Sequence, residues 1–163
     1  MSHKLRLITE ADAPDMVKLF NHFALHTFAA YPSVAVDESM YHRLKGFAGE
    51  FPFYVVEDES GTMIGFALTR RYHMADTMSR VGEITIFLSP DNTHHGIGTA
   101  ILKQLEADAR AHGVDILLAS ASSRNEASLN FQKRNGFVEC GRFKRVGRKF
   151  GEEYDMVWMQ KFL

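Results

Sequence analysis

The stretch Thr93-His94-His95-Gly96-Ile97-Gly98-Thr99 joins a β-branched run to an amphipathic one, and its reading decides the fold. Upstream, Glu83-Ile84-Thr85-Ile86-Phe87-Leu88 predicts a strand. Downstream, Ile97, Ile101, Leu105 and Ala109 recur every fourth residue, with Lys103, Glu106 and Arg110 on other faces. That spacing predicts a helix laid on a sheet. Glycines at the joint let a backbone approach a ligand with no Cβ in the way. The free N–H groups of a helix start, at the positive end of its dipole, form an anion site whose usual guest is phosphate. A tight turn that needs glycine only for its geometry accounts for the same residues, so both readings stand here. The stretch has no Gly-x-x-x-x-Gly-Lys-Ser/Thr, which argues against a nucleotide-hydrolysing loop. It also lacks the third glycine and the closing acidic residue of a dinucleotide site. A different ligand with a phosphate end is indicated.

The chain has 163 residues, 45% of them apolar and 13 of them Phe, which suits a single domain (residues 1–163) with a substantial core. Nineteen Lys and Arg against 20 Asp and Glu leave a net charge of −1, which argues against nucleic acid as a partner. One cysteine, Cys140, precludes an internal disulfide and suits a reducing cytoplasm. The start Met1-Ser2-His3-Lys4 runs into a strand-like segment, and no 18-residue apolar stretch occurs, so a cytoplasmic protein without a membrane partner is expected.

Outward from the central joint, alternation predicts a first strand over Lys4–Ile8, and Thr9, Asp12 and Pro14 mark the start of a helix to about His26. A shorter helix is expected over Glu38–Phe47. Phe53–Val56 and Met63–Leu68 flank the turn-rich Glu59-Ser60-Gly61-Thr62 and predict a hairpin. Residues 71–80 are polar and read as a loop. Gly113 stops the central helix, Asp115–Ala119 reads as a buried strand, and Asn125–Asn135 as a last helix stopped by Gly136. Strands over Phe137–Val146 and Tyr154–Phe162 end the chain. The expected fold is therefore mixed α/β: a mostly antiparallel sheet of six to seven strands, helices on both faces, and one β-α-β crossover carrying the glycine loop. A crevice at the carboxyl ends of the crossover strands is the expected ligand site.

This element order and glycine loop resemble the GNAT superfamily of acetyl-CoA-dependent N-acetyltransferases, and within it the phosphinothricin acetyltransferase-like branch. The resemblance covers nearly the whole chain, through Asn21-His22-Phe23, Glu83, the glycine loop, Asn125-Glu126-Ala127-Ser128, Arg134-Asn135-Gly136-Phe137 and Lys149-Phe150-Gly151-x-x-Tyr154-Asp155. The superfamily loop reads Gln/Arg-x-x-Gly-x-Gly/Ala, and Thr93 stands where Gln or Arg is usual.

The resemblance implies that the amides of His94, His95, Gly96, Ile97, Gly98 and Thr99 hold the coenzyme pyrophosphate. It implies a bulge at Ile86, Phe87 and Leu88 that frees backbone groups for the pantetheine arm, with the Leu88 N–H polarising the thioester oxygen. Glu83 is the implied base, because an ammonium group with a pKa near ~10 must lose its proton before it attacks. Periodicity alone leaves Glu83 open between that role and a solvated sheet position. Asn125 is implied at the coenzyme arm, although helix capping by itself explains an Asn there. Phe28, Tyr31 and Tyr154 are the implied acceptor wall. Gln132 stands where many members carry the tyrosine that protonates the leaving thiolate; the thiolate then leaves without protein help, or a water or another group such as Tyr154 supplies the proton. The Arg and Tyr that accompany phosphinothricin acetylation fall near Ala75 and Met78 here, which argues against that acceptor.

Five cations in Arg142–Lys149 read either as an anion-attracting patch or as a charged hairpin edge. Lys133 and Arg134 are better placed for the coenzyme 3′-phosphate. Among eight histidines, only His22 and His26 share a helix face at i,i+4, and with no third ligand no metal is expected. The expectation is an N-acetyltransferase that takes acetyl-CoA and a small, amino-acid-like primary amine by direct attack in a ternary complex. A peptide or protein amine, a different acyl-CoA and a non-catalytic acyl-CoA sensor are the alternatives. Relatives are commonly homodimers, and Met156-Val157-Trp158-Met159 offers an apolar strand for such an interface.

Overall fold

The computed structural model describes residues 3–93 and 95–163; the part of the loop reading that rests on His94 lies outside them. Seven strands form one sheet: β1 (His3–Leu7), β2 (Phe53–Asp58), β3 (Met63–Arg71), β4 (Val81–Leu88), β5 (Ile116–Ser122), β6 (Val138–Lys149) and β7 (Glu152–Phe162). Their order is β1-β2-β3-β4-β5-β7-β6. β4 and β5 alone run parallel, joined by the helix α3 (Ile97–Ala111), and every other neighbouring pair is antiparallel. The remaining helices are α1 (Ala13–His26), α2 (Ser39–Ala48) and α4 (Glu126–Arg134).

Alternation sorts the strand residues into two cores. Phe53, Val55, Phe66 and Leu68 bury against Met16, Phe20 and Met40 of α1 and α2. Ile84, Leu117, Ala119, Val157 and Met159 bury against Ile97, Ile101, Leu102 and Leu105 of α3 on the other face. The expected helices on both faces of a mixed sheet are thus observed.

The first helix starts later than the sequence suggests. A 3-10 turn over Glu10–Asp12 intervenes, and α1 begins at Ala13 with Pro14 in its first turn. The Asp12 carboxylate accepts the Thr9 N–H at 2.8 Å and the Thr9 hydroxyl at 2.9 Å, so it holds the preceding turn. Arg6 donates to both Asp12 oxygens, at 2.7 and 2.8 Å, and to Glu57 at 2.6 Å. The Arg6 hydrogen bonds, ahead of those from Thr9, hold the Asp12 carboxyl at about 2, below its ordinary 3.8. A depressed acid stabilises the fold above its unfolded pKa, and that contribution is lost as pH falls through the folded one. Asp12→Asn, which removes the charge that Arg6 pairs with, should therefore cost about 1 kcal/mol at neutral pH. Thermal melts of the two proteins should converge as the pH drops from about 4 to about 2.

Two further expectations are corrected. β4 pairs with β3 residue for residue, from Gly65↔Leu88 to Arg71↔Gly82, with no bulge; both strands keep one pleat, so the ladder stays in step. β7 lies inside the sheet between β5 and β6, and Val157 and Met159 are buried against α3, so Met156–Met159 is no edge for an interface. Exposed apolar side chains are instead scattered, among them Leu7, Val34, Met74, Val138 and Phe162.

Candidate active site

β4 and β5 hold register only over Val81↔Ile116, Gly82↔Leu117 and Glu83↔Leu118, then diverge. Direction along β4 decides what the fork exposes. Ser89 N–H donates to Ile64 O at 2.7 Å and Tyr72 N–H to Val81 O at 3.2 Å, so odd-numbered β4 residues turn their backbone groups to β3. Arg80 O accepts from Asp115 and Ile116 on the opposite side. Backbone groups alternate, so those of Ile84, Ile86 and Leu88 turn toward β5. Past Glu83 that edge has no strand partner, and the amides and carbonyls of Ile86 and Leu88 face the fork. Divergence of two strands, rather than a bulge, frees them.

Phe87 differs from its two neighbours. Its backbone turns to β3, and its ring stacks on Phe66 at 5.2 Å and meets Phe20 and Phe23 at 5.3 Å. The residue packs β4 onto α1 and presents no backbone group to the fork.

Glu83 sits where the parallel pairing ends. It is 8% exposed and shares a sheet face with Phe87, on the α1 side. Its direct cross-strand neighbour is Arg70, whose Nη2 donates to Glu83 Oε2 at 2.6 Å. Burial raises the Glu83 carboxyl above the ordinary carboxylate range, and Arg70 opposes that rise without cancelling it. A buried, perturbed acid at the mouth of a cleft is suited to move a proton.

On the same face, Tyr31 and Tyr154 stack at 6.2 Å with planes 13° apart, and Phe28 meets the Tyr154 ring edge-on at 6.1 Å. The three residues read from the sequence as an acceptor wall are therefore one cluster. Tyr31 Oη shares a hydrogen bond with Ser120 Oγ at 2.9 Å, tying the α1–α2 connection to β5. Lys149, 3% exposed, donates to Ala30 O at 2.7 Å and pins the same connection to the β6–β7 hairpin. Removal from water lowers the Lys149 pKa. Tyr154 lies over Gly147, its register partner, where any Cβ would collide with the ring.

α3 starts on Gly96, in the left-handed region at φ +77° with open space where a Cβ would stand. No side chain among the described residues caps this helix, and its first backbone bond is Ala100 N–H to Gly96 O. The amides of Ile97, Gly98 and Thr99 therefore precede the helical ladder, as an anion cradle requires. A Cβ on Gly98 would stand 3.1 Å from the Phe131 ring, so this glycine also lets α4 pack close to α3. His95 and Gly96 are exposed. Asn125 caps α4, its side chain accepting from Ser128 N–H at 3.2 Å. Gln132 is buried and its Nε2 donates to Ser128 Oγ, whereas its Oε1 has no partner among the described residues.

The basic run on β6 is a charge-balanced hairpin edge. Arg142 pairs with Glu139 and Asp155, and Arg145 and Arg148 both reach Glu153. His22 and His26 lie 5.5 Å apart between ring centroids. Among the described residues no three His, Cys, Asp or Glu side chains converge as a metal site would need. No described helix is long and apolar enough to cross a membrane.

Arg70, Ser120 and the Lys149–Ala30 bond were not assigned to the site from sequence. Alternation in β3 places Arg70 on the Glu83 face, but only the β3–β4 register sets the two side by side.

A buried acid at a strand fork, a glycine-started helix and a free strand edge fit the acyltransferase that the sequence resemblance implies. The acetyltransferase (GNAT) domain matches residues 5–158, and the chain belongs to that family. The L-amino acid N-acyltransferase MnaT of Escherichia coli (strain K12) is 29% identical over 159 residues, which span 96% of this chain and 91% of that protein. A phosphinothricin acetyltransferase from Sinorhizobium meliloti in complex with AcCoA superposes with a TM-score of 0.91 at 28% identity, covering 100% of this chain and 89% of that one. A ribosomal-protein-alanine N-acetyltransferase from Brucella melitensis gives 0.87 at 31% identity, covering 98% and 99%. The chain is an acetyl-CoA-dependent N-acetyltransferase, and its uncapped α3 start and free β4 edge fit that co-substrate.

Proposed function

We propose that the protein acetylates the primary amine of a small, amino-acid-like acceptor by direct attack in a ternary complex. The observation that carries this reading is Glu83, buried at the fork and facing the side lined by Phe28, Tyr31 and Tyr154. The acceptor side carries three clustered aromatic rings, which suit a compact amine. The names of relatives such as MnaT support the same acceptor class.

Acetyl-CoA supplies the acetyl group as a thioester. The amides of residues 94–99 hold its pyrophosphate, and the edge groups of Ile86 and Leu88 pair with the pantetheine arm as an added strand would. The Leu88 N–H polarises the thioester oxygen, and removing one such donor typically costs on the order of 10²–10³ in rate. Glu83 takes the proton from the acceptor ammonium through a water. Asn125 caps α4 and also faces the coenzyme arm. Orientation supplies much of the acceleration, since well-placed pairs reach effective molarities of ~10⁵ M or more.

The whole chain, residues 1–163, acts as one domain. It works in the cytoplasm, where acetyl-CoA is made and where the exposed Cys140 thiol stays reduced. It pairs as a homodimer; a monomer mass in light scattering would remove that assignment. A second reading, acetylation of a peptide N-terminus, is favoured by the identity to the Brucella melitensis enzyme.

An acceptor screen that follows free thiol release from acetyl-CoA tests the reading. Free amino acids should turn over, and peptides carrying the same first residue should not. Turnover confined to peptides would replace the first reading with the second.

A further inference from the structure

Glu83 is clamped by one oxygen only. Its Oε2 accepts from Arg70 Nη2 at 2.6 Å, while Oε1 accepts no hydrogen bond among the described residues. The Arg70 side chain has no other hydrogen bond among the described residues, and its guanidinium lies 5.6 Å over the Phe47 ring of α2, which braces its position. The pair is formed across β3 and β4 by residues in direct register, so the two backbones set its geometry. The other titratable groups facing this point are the Tyr31 hydroxyl, from the α1–α2 connection, and Tyr154 of β7 stacked behind it. The neighbour on β5, Leu118, brings no charge, and α2 brings the Phe47 ring.

From this geometry we infer that Arg70 is a positioning residue for acetyl transfer: it holds Glu83 charged by one oxygen and leaves the other free to take the amine proton. The inference rests on the reading that Glu83 acts as the base. A buried carboxylate with no cation beside it would favour its neutral form and offer no lone pair to an ammonium group. A cation bound to both oxygens would leave it charged but a weak base. Capture of one oxygen avoids both outcomes. Arg70 touches neither reacting atom; it acts through Glu83.

The test separates the two claims. In coenzyme-free protein carrying ¹³C-labelled glutamate, with the Glu83 signal assigned by its loss in Glu83→Gln, the Glu83 midpoint should rise by about 1–3 pH units in Arg70→Gln. Arg70→Lys, which keeps the charge, should rise less. The acidic limb of kcat/KM for one fixed acceptor should move in the same direction. Activity of Arg70→Gln should then be depressed at low pH and approach that of the unsubstituted enzyme at high pH, with acetyl-CoA affinity within about threefold. An unmoved Glu83 midpoint in an Arg70→Gln protein that melts like its parent would overturn the inference. A midpoint that moves while the acidic limb stays in place would instead remove Glu83 as the base. Should Arg70→Gln not fold, Arg70→Met carries the comparison, and a midpoint and limb both unchanged there would overturn the inference as well.

Discussion

Glu83→Gln should lower turnover by about 10²–10⁴-fold, the usual contribution of a positioned general base, while acetyl-CoA still binds. Glutamine keeps the shape and a hydrogen-bond acceptor for Arg70, so the substitution removes the proton-accepting charge and little else. The pH dependence has a fixed sign. Burial raises the Glu83 carboxyl and Arg70 opposes it with a net rise, so the acidic limb of kcat/KM should lie above the ordinary carboxylate range. Activity falls as pH drops through that value, because the carboxylate must be ionised to receive a proton. The limb should disappear in Glu83→Gln. Steady-state thiol release across pH, paired with calorimetry of coenzyme binding, reads both effects. Turnover equal to that of the unsubstituted enzyme would leave Glu83 with no catalytic part.

Gly65→Ala should damage the enzyme although it touches no reacting group. A Cβ at residue 65 would stand 2.6 Å from the Phe87 carbonyl oxygen and 3.1 Å from Leu88 Cδ1. The oxygen is backbone and cannot turn aside, so β3 and β4 must separate where Leu88 presents its N–H to the fork. Overpacking of this kind typically costs 1–3 kcal/mol. A displacement of about 1 Å near reacting atoms can cost on the order of 10²-fold in rate. We therefore expect a lower melting temperature together with a kcat loss of about that size. Gly46→Ala is the control: nothing stands within 4 Å of a Cβ there, and turnover should be unchanged. A Gly65→Ala enzyme that loses stability but keeps full kcat would show that the end of β4 takes no part in polarising the thioester.

Several of the site's parts were legible in the chain because they are local. The glycine joint needs only neighbouring residues to make a helix start with free amides, and α3 begins where that joint ends. The alternation of Glu83, Thr85 and Phe87 against Ile84, Ile86 and Leu88 needs only the pleat, and the two sets do lie on opposite faces. The start of α1 was less legible. Asp12 is spent on Thr9 and Arg6, so the segment expected to open the helix forms a 3-10 turn instead.

The bulge expected at Ile86–Leu88 illustrates the limit of reading outward from one strand. Free backbone groups were anticipated at the right residues, for a reason the sheet does not use. They are free because β5 leaves β4 after Leu118, an event on another strand 30 or more residues away in the chain. The same distance hid the place of Phe87, whose neighbours in sequence face the fork while it serves the packing of α1.

By itself, then, the amino-acid order determined the fold class, the crossover, the glycine-started helix and the candidate acid, all of which follow from periodicity and glycine conformation within one segment. Tertiary structure alone decided the register that sets Arg70 against Glu83 and the depth at which that pair is buried. It also decided the divergence that opens one edge of β4 and the meeting of Tyr31, Tyr154 and Phe28 from opposite ends of the chain. The physical reason is range. A pleat or a helical turn is settled by contacts a few residues apart, whereas a register is settled by how whole strands pack, and a one-residue slip would reverse every face.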